Sequence, residues 1–203
     1  MQALPEIFGA CINRFIAVDF ETAMYSPNSA VSIGMAKYHD YCLVDTFYSL
    51  IRPPKMYIRP DFTAIHGLTV DDVIDAPDFG CLWENGIGAF IEKLPLAAHN
   101  APFDMGVLRA TLEHYSIAPP KNKFFCSLAL ARKTWPQFPS RSLSNLAKHF
   151  CIEYEAHNAL ADAQVCGKII ELCAACHSDA AGLDQAMGIK ELLKKTGVRM
   201  KGL

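Results

Sequence analysis

No stretch of the 203-residue chain approaches the roughly 20 consecutive apolar residues that a membrane-crossing helix requires. The first twenty residues lack the basic segment and following apolar run of a secretory leader. These absences predict a soluble, cytoplasmic protein with no membrane partner. An excess of positive charge is missing as well: 19 Lys+Arg stand against 21 Asp+Glu, for a net charge of −2. The chain therefore cannot hold a polyanion through its overall field, and any such contact must come from local patches and bound cations. Internal repeats, low-complexity tracts and long charge blocks are also absent, which excludes solenoids and disordered linkers.

Cysteine is plentiful. Cys11, Cys42, Cys81, Cys126, Cys151, Cys166, Cys173 and Cys176 are scattered through apolar runs, as buried thiols are in a reducing compartment, and no disulfide framework is expected. With 51% hydrophobic residues, the chain can bury one substantial core but has little room for a second full domain.

Residues 14–22 (RFIAVDFET) are apolar and β-branched or aromatic enough for a central strand, and 30–38 and 41–51 read as two more, joined by a short turn at His39-Asp40. A meander is expected. Arg52-Pro53-Pro54 then breaks the pattern, and Thr69 with Asp72 marks the cap of a short helix. The apolar spacing over 78–94 is helical, and 95–98 reads as a short buried strand. A helix from Pro102 or Phe103 to about Tyr115 follows, with Phe124–Cys126 as the last strand. Helices over 127–135, 142–150 and, rich in alanine, 158–176 complete the pattern. An α/β domain with a mixed sheet covered by helices is predicted for residues 13–177, with 178–203 a peripheral helix and fraying tail.

Asp19 and Glu21 stand two apart on the predicted central strand, so they face the same way with Cα atoms roughly 6.5–7 Å apart. Two like charges on a buried strand are costly unless a cation neutralises them, and a few carboxylates plus a phosphate suit Mg²⁺ or Mn²⁺. A solvated D-x-E at a strand tip is the simpler account of this pair alone. Asp104 in the first turn of its helix is by itself a good helix-start acid. Asp162, one to two turns into a helix that begins near His157, could by itself face solvent.

In combination the ordered segments VDFET (18–22), AHNAPFD (98–104) and HNALAD (157–162), with AIHGLT (64–69) between the first two, carry more. Over about residues 13–176 the chain resembles the DEDDh 3′→5′ exonuclease superfamily, the group of the epsilon subunit of DNA polymerase III and of ribonuclease T. The H-x₄-D spacing separates this branch from relatives with tyrosine in place of the histidine.

The resemblance implies a ribonuclease-H-like fold and two-metal hydrolysis, with two divalent cations, Mg²⁺ or Mn²⁺. By it, Asp19, Glu21 and Asp162 hold the tighter ion, Asp19 also touches the second, and Asp104 reaches both through water. Two cations about 3.5–4 Å apart stabilise the attacking and leaving oxygens of an in-line displacement. His157 is implied as general base, a task that an imidazole with an ordinary pKa of about 6.5 suits. Phe20 and Thr22 are implied beside the terminal nucleotide, His66 near its base or sugar, and Phe103 under a base. Core packing explains Phe20 and Phe103 equally well, and Asn100 is the stronger candidate for a substrate-side hydrogen bond. Ala23-Met24 and Asn158 stand where many family members have a small residue and a second acid. Neither removes a metal ligand, although Asn158 bears on how His157 is oriented.

The implied substrate is the 3′ end of single-stranded nucleic acid, DNA favoured over RNA by the epsilon-like IHGLT segment. An RNA-trimming exonuclease and a non-catalytic nucleic-acid-binding module of the same fold are the alternatives, and the intact carboxylates speak against the second. Polymerase association is compatible with the sequence but not required by it: the short region after residue 176 favours a stand-alone enzyme or the catalytic part of a longer chain. Arg52, Lys55 and Arg59, and separately Arg132, Lys133, Arg141 and Lys148, either guide phosphates or are ordinary solvated charges. Cys173-Ala-Ala-Cys176-His177 matches a haem-attachment pattern, but that chemistry needs an exported chain, and a buried thiol pair is the better account.

Overall fold

The computed structural model describes residues 13–178 and 187–203. Cys11 and Gly182 lie outside them. Strand β1 (Arg14–Thr22) is sandwiched on both faces, which is why its sequence is nearly continuous in apolar residues. It pairs antiparallel with β2 (Ala30–His39), and β2 pairs antiparallel with β3 (Cys42–Leu50), giving the expected meander. The turn between β2 and β3 is made by Asp40 and Tyr41, both at positive φ (49° and 64°), a two-residue hairpin geometry that matches the twist of the strands.

On its other edge β1 pairs in parallel with β4 (Leu96–Ala98), which pairs in parallel with β5 (Lys123–Cys126). The sheet order is β3-β2-β1-β4-β5-β6, a mixed sheet covered by helices, as the residue pattern predicts. One strand was not foreseen. Lys201–Gly202 forms β6, antiparallel to β5, so Phe124–Cys126 is not the last strand. Two residues carry no periodicity from which a strand could be read.

The connection from β3 to β4 carries α1 (Pro60–His66), α2 (Val70–Val73), α3 (Phe79–Leu82) and α4 (Gly88–Ile91). Thr69 and Asp72 form the expected capping box on α2. The single helix read over 78–94 is interrupted: Trp83–Ile87 form a wide π-turn between α3 and α4. Glycine permits the close packing there, since a Cβ on Gly86 would stand 2.8 Å from the Phe47 ring.

Helix α5 (Ala101–His114) follows β4. After β5 come α6 (Ser127–Thr134), α7 (Leu143–His149), α8 (Ala159–His177) and α9 (Ile189–Thr196). The two faces of β1 organise two cores. Ile16, Val18 and Phe20 point toward Met105, Leu108 and Leu112 of α5, whereas Phe15 and Ala17 point toward Ala163, Cys166 and Ile170 of α8. Ile189, Leu192 and Leu193 of α9 join the second cluster, so this segment is tied into the core more firmly than the fraying end expected of it.

The cysteines depart from expectation. All seven described cysteines are free, but Cys42, Cys81, Cys151 and Cys176 are exposed and only Cys166 and Cys173 are buried. Cys173 and Cys176 therefore do not share a buried face. Apolar neighbours in sequence do not decide which way one side chain on a helix or edge strand points. Among the described residues no helix is long and apolar enough to cross a membrane.

Candidate active site

The alternation of β1 determines where its acids go. Asp19 and Glu21 continue the row of Phe15 and Ala17, the face covered by α8, while Phe20 falls on the α5 face. Asp19 pairs with Gly34 of β2, and that glycine lets the start of α8 approach the sheet: a Cβ there would stand 2.2 Å from the Ala159 carbonyl and the Leu160 nitrogen. Asp162, one turn into α8, is thereby brought down beside β1, 7% exposed.

Asp104 arrives from the opposite edge. Strand β4 pairs with β1 only at Ile16 and Ala17 before the chain turns into α5, so the Phe20 N–H on that edge has no strand partner. The Asp104 carboxylate accepts it at 3.3 Å, with the side chain 2% exposed. Asn100 makes the turn possible by adopting the left-handed region (φ 79°), where asparagine is tolerated. Its side chain is exposed and gives no cap to α5.

Four carboxylates from three segments thus converge with His157. Nitrogen or oxygen atoms of Glu21, His157 and Asp162 lie within 4.8 Å of one another. Burial, followed by repulsion from Asp104, Asp162 and Glu21, holds the Asp19 carboxyl well above the ordinary carboxylate range. Burial, then Asp162, pushes Glu21 up to about 8. Asp104 is also raised well above its usual value by burial, opposed by backbone N–H donors that include Phe20. Asp162 is raised by burial, against hydrogen bonds from the His157 backbone and the Tyr154 hydroxyl. A cluster of carboxyls that resists ionisation in this way, with oxygen donors and one imidazole, fits divalent cations.

The segment before α8 is wrapped around Asp162. His157 has a left-handed backbone (φ 64°) and an exposed side chain. Asn158 is the N-cap of α8, its side-chain oxygen accepting from the Ala161 N–H at 3.2 Å. The residue that stands in place of a second acid is therefore explained by capping. Tyr154 has no role in the sequence reading, since an isolated tyrosine eight residues before the aspartate gives no periodic signal.

His66 lies on the cleft wall. Its Nδ1 accepts from the Leu68 N–H (3.0 Å), so its Nε2–H donates to the Thr22 carbonyl (3.2 Å), and burial holds its pKa below the ordinary value. With both nitrogens engaged by backbone, His66 braces α1 against the end of β1. Thr22 is 4% exposed. Phe20, at 3%, is a core side chain packed on the α5 face, so its ring does not reach the cleft. Phe103, by contrast, is 49% exposed and stands free at the start of α5.

A cleft of about 310 Å³ runs along the site, lined by Ser32, Tyr48, the 63–68 segment and Glu155–Ala159. Behind it a second histidine is committed to structure. The His99 Nε2–H donates to the Arg141 carbonyl (2.8 Å) and its Nδ1 faces the Ser127 hydroxyl (2.9 Å), tying β4, α6 and the loop before α7 together. Burial pushes its pKa down to about 4, which keeps it neutral.

The exonuclease family that includes ribonuclease T matches residues 16–170. The epsilon subunit of DNA polymerase III from Treponema pallidum is 30% identical over 173 residues, covering 83% of this chain and 80% of that one. Among solved structures, exonuclease X in complex with 5′ overhanging duplex DNA superposes with a TM-score of 0.66 at 24% identity, over 82% of this chain and 95% of that one. The nuclease domain of 3′hExo, a DEDDh family member bound to rAMP, superposes with a TM-score of 0.67 at 15% identity, over 94% and 96%. The chain belongs to the DEDDh 3′→5′ exonuclease family and has its ribonuclease-H-like fold. It is accordingly a phosphodiester hydrolase of a family that works with divalent metal ions.

Proposed function

We propose that the protein removes nucleotides one at a time from the 3′ end of single-stranded DNA, using two Mg²⁺ or Mn²⁺ ions held by Asp19, Glu21, Asp104 and Asp162. The observation that carries this reading is the convergence of those carboxyls beside His157, each held above its ordinary pKa. Bound cations supply electrostatic stabilisation to the attacking and departing oxygens. Asp19, Glu21 and Asp162 would hold the tighter ion, Asp19 would also reach the second, and Asp104 would act largely through water. His157, exposed at the cleft, takes the proton from the nucleophilic water.

The cleft between His66 and His157 receives the terminal nucleotide. His66 shapes its wall through Thr22, Asn100 offers a side-chain amide, and Phe103 offers an exposed ring for stacking. The epsilon relatives, subunits of a DNA polymerase, support DNA over RNA and make polymerase association compatible with this reading.

Digestion of 5′-labelled single-stranded DNA and RNA of equal sequence, with Mg²⁺, Mn²⁺ or EDTA, tests this against Asp19→Ala. A ladder shortening from the 3′ end, seen only with wild type and metal and stronger on DNA, is expected. Faster cutting of RNA would reverse the substrate assignment, and no cutting with any metal would remove the catalytic reading.

A further inference from the structure

Helix α9 and the strand after it are basic in a chain whose net charge is −2: residues 187–203 hold Lys190, Lys194, Lys195, Arg199 and Lys201 against a single acid, Glu191. The segment stands at the end of the sheet away from the carboxylates. The Ile189 N–H donates to the side-chain oxygen of Asn13, just before β1, at 2.9 Å. Lys201 of β6 pairs with Phe124, level with Ile16 of β1 rather than with Asp19. Gly197, in the left-handed region (φ 71°), ends α9 and turns the chain, so that Val198, Arg199 and Met200 line an open groove together with Lys190, Leu193 and Lys194. The groove measures about 380 Å³. Leu193 belongs to the second core cluster and Val198 and Met200 pack against it, which gives the groove an aliphatic floor. The three cations are exposed around it. Lys195 is engaged elsewhere, its ammonium donating to the His177 carbonyl at 2.8 Å.

Among the described residues, none of Lys190, Lys194 and Arg199 meets a carboxylate. Like charges one turn apart on a helix work against it, so Lys190 and Lys194 do nothing for the fold, whereas an acidic ligand would find three cations to neutralise. The floor decides which acidic ligand fits. No aromatic ring lines the groove, so the bases of a single strand have nothing to stack on, and a row of phosphates would leave the aliphatic surface in water. A peptide satisfies both parts, since carboxylates and an apolar side chain can follow one another along a short segment. We propose that the groove docks an acidic peptide segment of a partner protein, its carboxylates set against Lys190, Lys194 and Arg199 and one large apolar side chain seated on Leu193, Val198 and Met200. Docking there leaves the cleft beside His157 open, and it stands independently of the exonuclease reading.

The test is titration of the ¹⁵N-labelled protein with the hexapeptide EDLFDE, followed through the backbone amide resonances, for wild type and Lys194→Glu/Arg199→Glu. Shifts confined to residues 189–202 are expected, with a Kd of about 1 mM or tighter that weakens as salt is raised. The double variant is expected to bind about tenfold or more weakly, with its Tm at the wild-type value because both side chains are exposed. The peptide EDSSDE, which lacks the apolar anchor, should also bind about tenfold more weakly, and KKLFKK, with the charge reversed, should leave these amides unmoved. The absence of shifts with EDLFDE, or shifts centred on the cleft instead, would overturn the docking site. Equal binding of EDSSDE would reduce the groove to a solvated basic surface. Tighter binding of dT8, or of its duplex with dA8, at the same amides would make it a nucleic-acid contact, and the peptide proposal would fall.

Discussion

At the scale of single residues, the site combines groups that are costly to the fold with groups that restrain them. Glu21 is raised from 4.5 to about 8, so the folded state keeps a proton that the unfolded chain releases across that interval. Stability without metal therefore falls as pH rises through the same window, because the native state binds more protons. A cation reverses the cost once the carboxyls ionise. Thermal unfolding in EDTA should thus show a Tm that declines between about pH 4.5 and about pH 8, and the gain in Tm from added Mg²⁺ should grow with pH. A Mg²⁺ gain independent of pH would contradict the assignment.

His157→Ala should slow turnover by about 10²–10⁴-fold while metal binding, followed by titration calorimetry, is retained. Equal loss of metal binding would show that the imidazole is a ligand rather than a base. Tyr154 donates to Asp162, and groups that orient a ligand typically alter metal affinity by about 10–100-fold. Tyr154→Phe should accordingly raise the Mg²⁺ concentration for half-maximal rate by about tenfold, with the rate recovered at saturating metal. A lower plateau at saturation would place the hydroxyl in the chemical step.

At the scale of elements, the meeting of α8 with β2 sets the position of Asp162. Gly34 permits that meeting, and Gly167 permits the next contact along, where a Cβ would stand 2.2 Å from the Tyr38 ring. At Gly34 the opposing atoms are backbone, so no side chain can rotate away. Gly34→Ala should push the start of α8 off the sheet, destabilise the fold by about 3 kcal/mol or more, and reduce activity even where the protein remains folded. Urea unfolding and single-turnover cleavage would check both; a variant of native stability and rate would show that α8 can yield there without cost. The same alternation in β1 puts the Phe20 ring in the core on the α5 face and Asp19 and Glu21 on the opposite face, toward α8.

At the scale of the whole molecule, the sheet is closed at one edge by the chain's last residues. Removing 188–203 would strip Ile189, Leu192 and Leu193 from the core and uncover β5. At about 1.5–3 kcal/mol for each buried aliphatic side chain, the loss should be on the order of 5 kcal/mol, read as a lower urea midpoint. An unchanged midpoint would show that this segment is dispensable to the fold.

The order and type of most elements, and the identities of Asp19, Glu21, Asp104, His157 and Asp162, were legible in the sequence. Periodicity, caps and motif residues are local properties that the chain carries with it unfolded. The break of 78–94 into two short helices around a π-turn, the pairing of β6, the orientation of each cysteine and the hold of Tyr154 on Asp162 were decided only by the tertiary structure. Each depends on which distant backbone or side chain comes to lie opposite, and no periodicity within one segment records that.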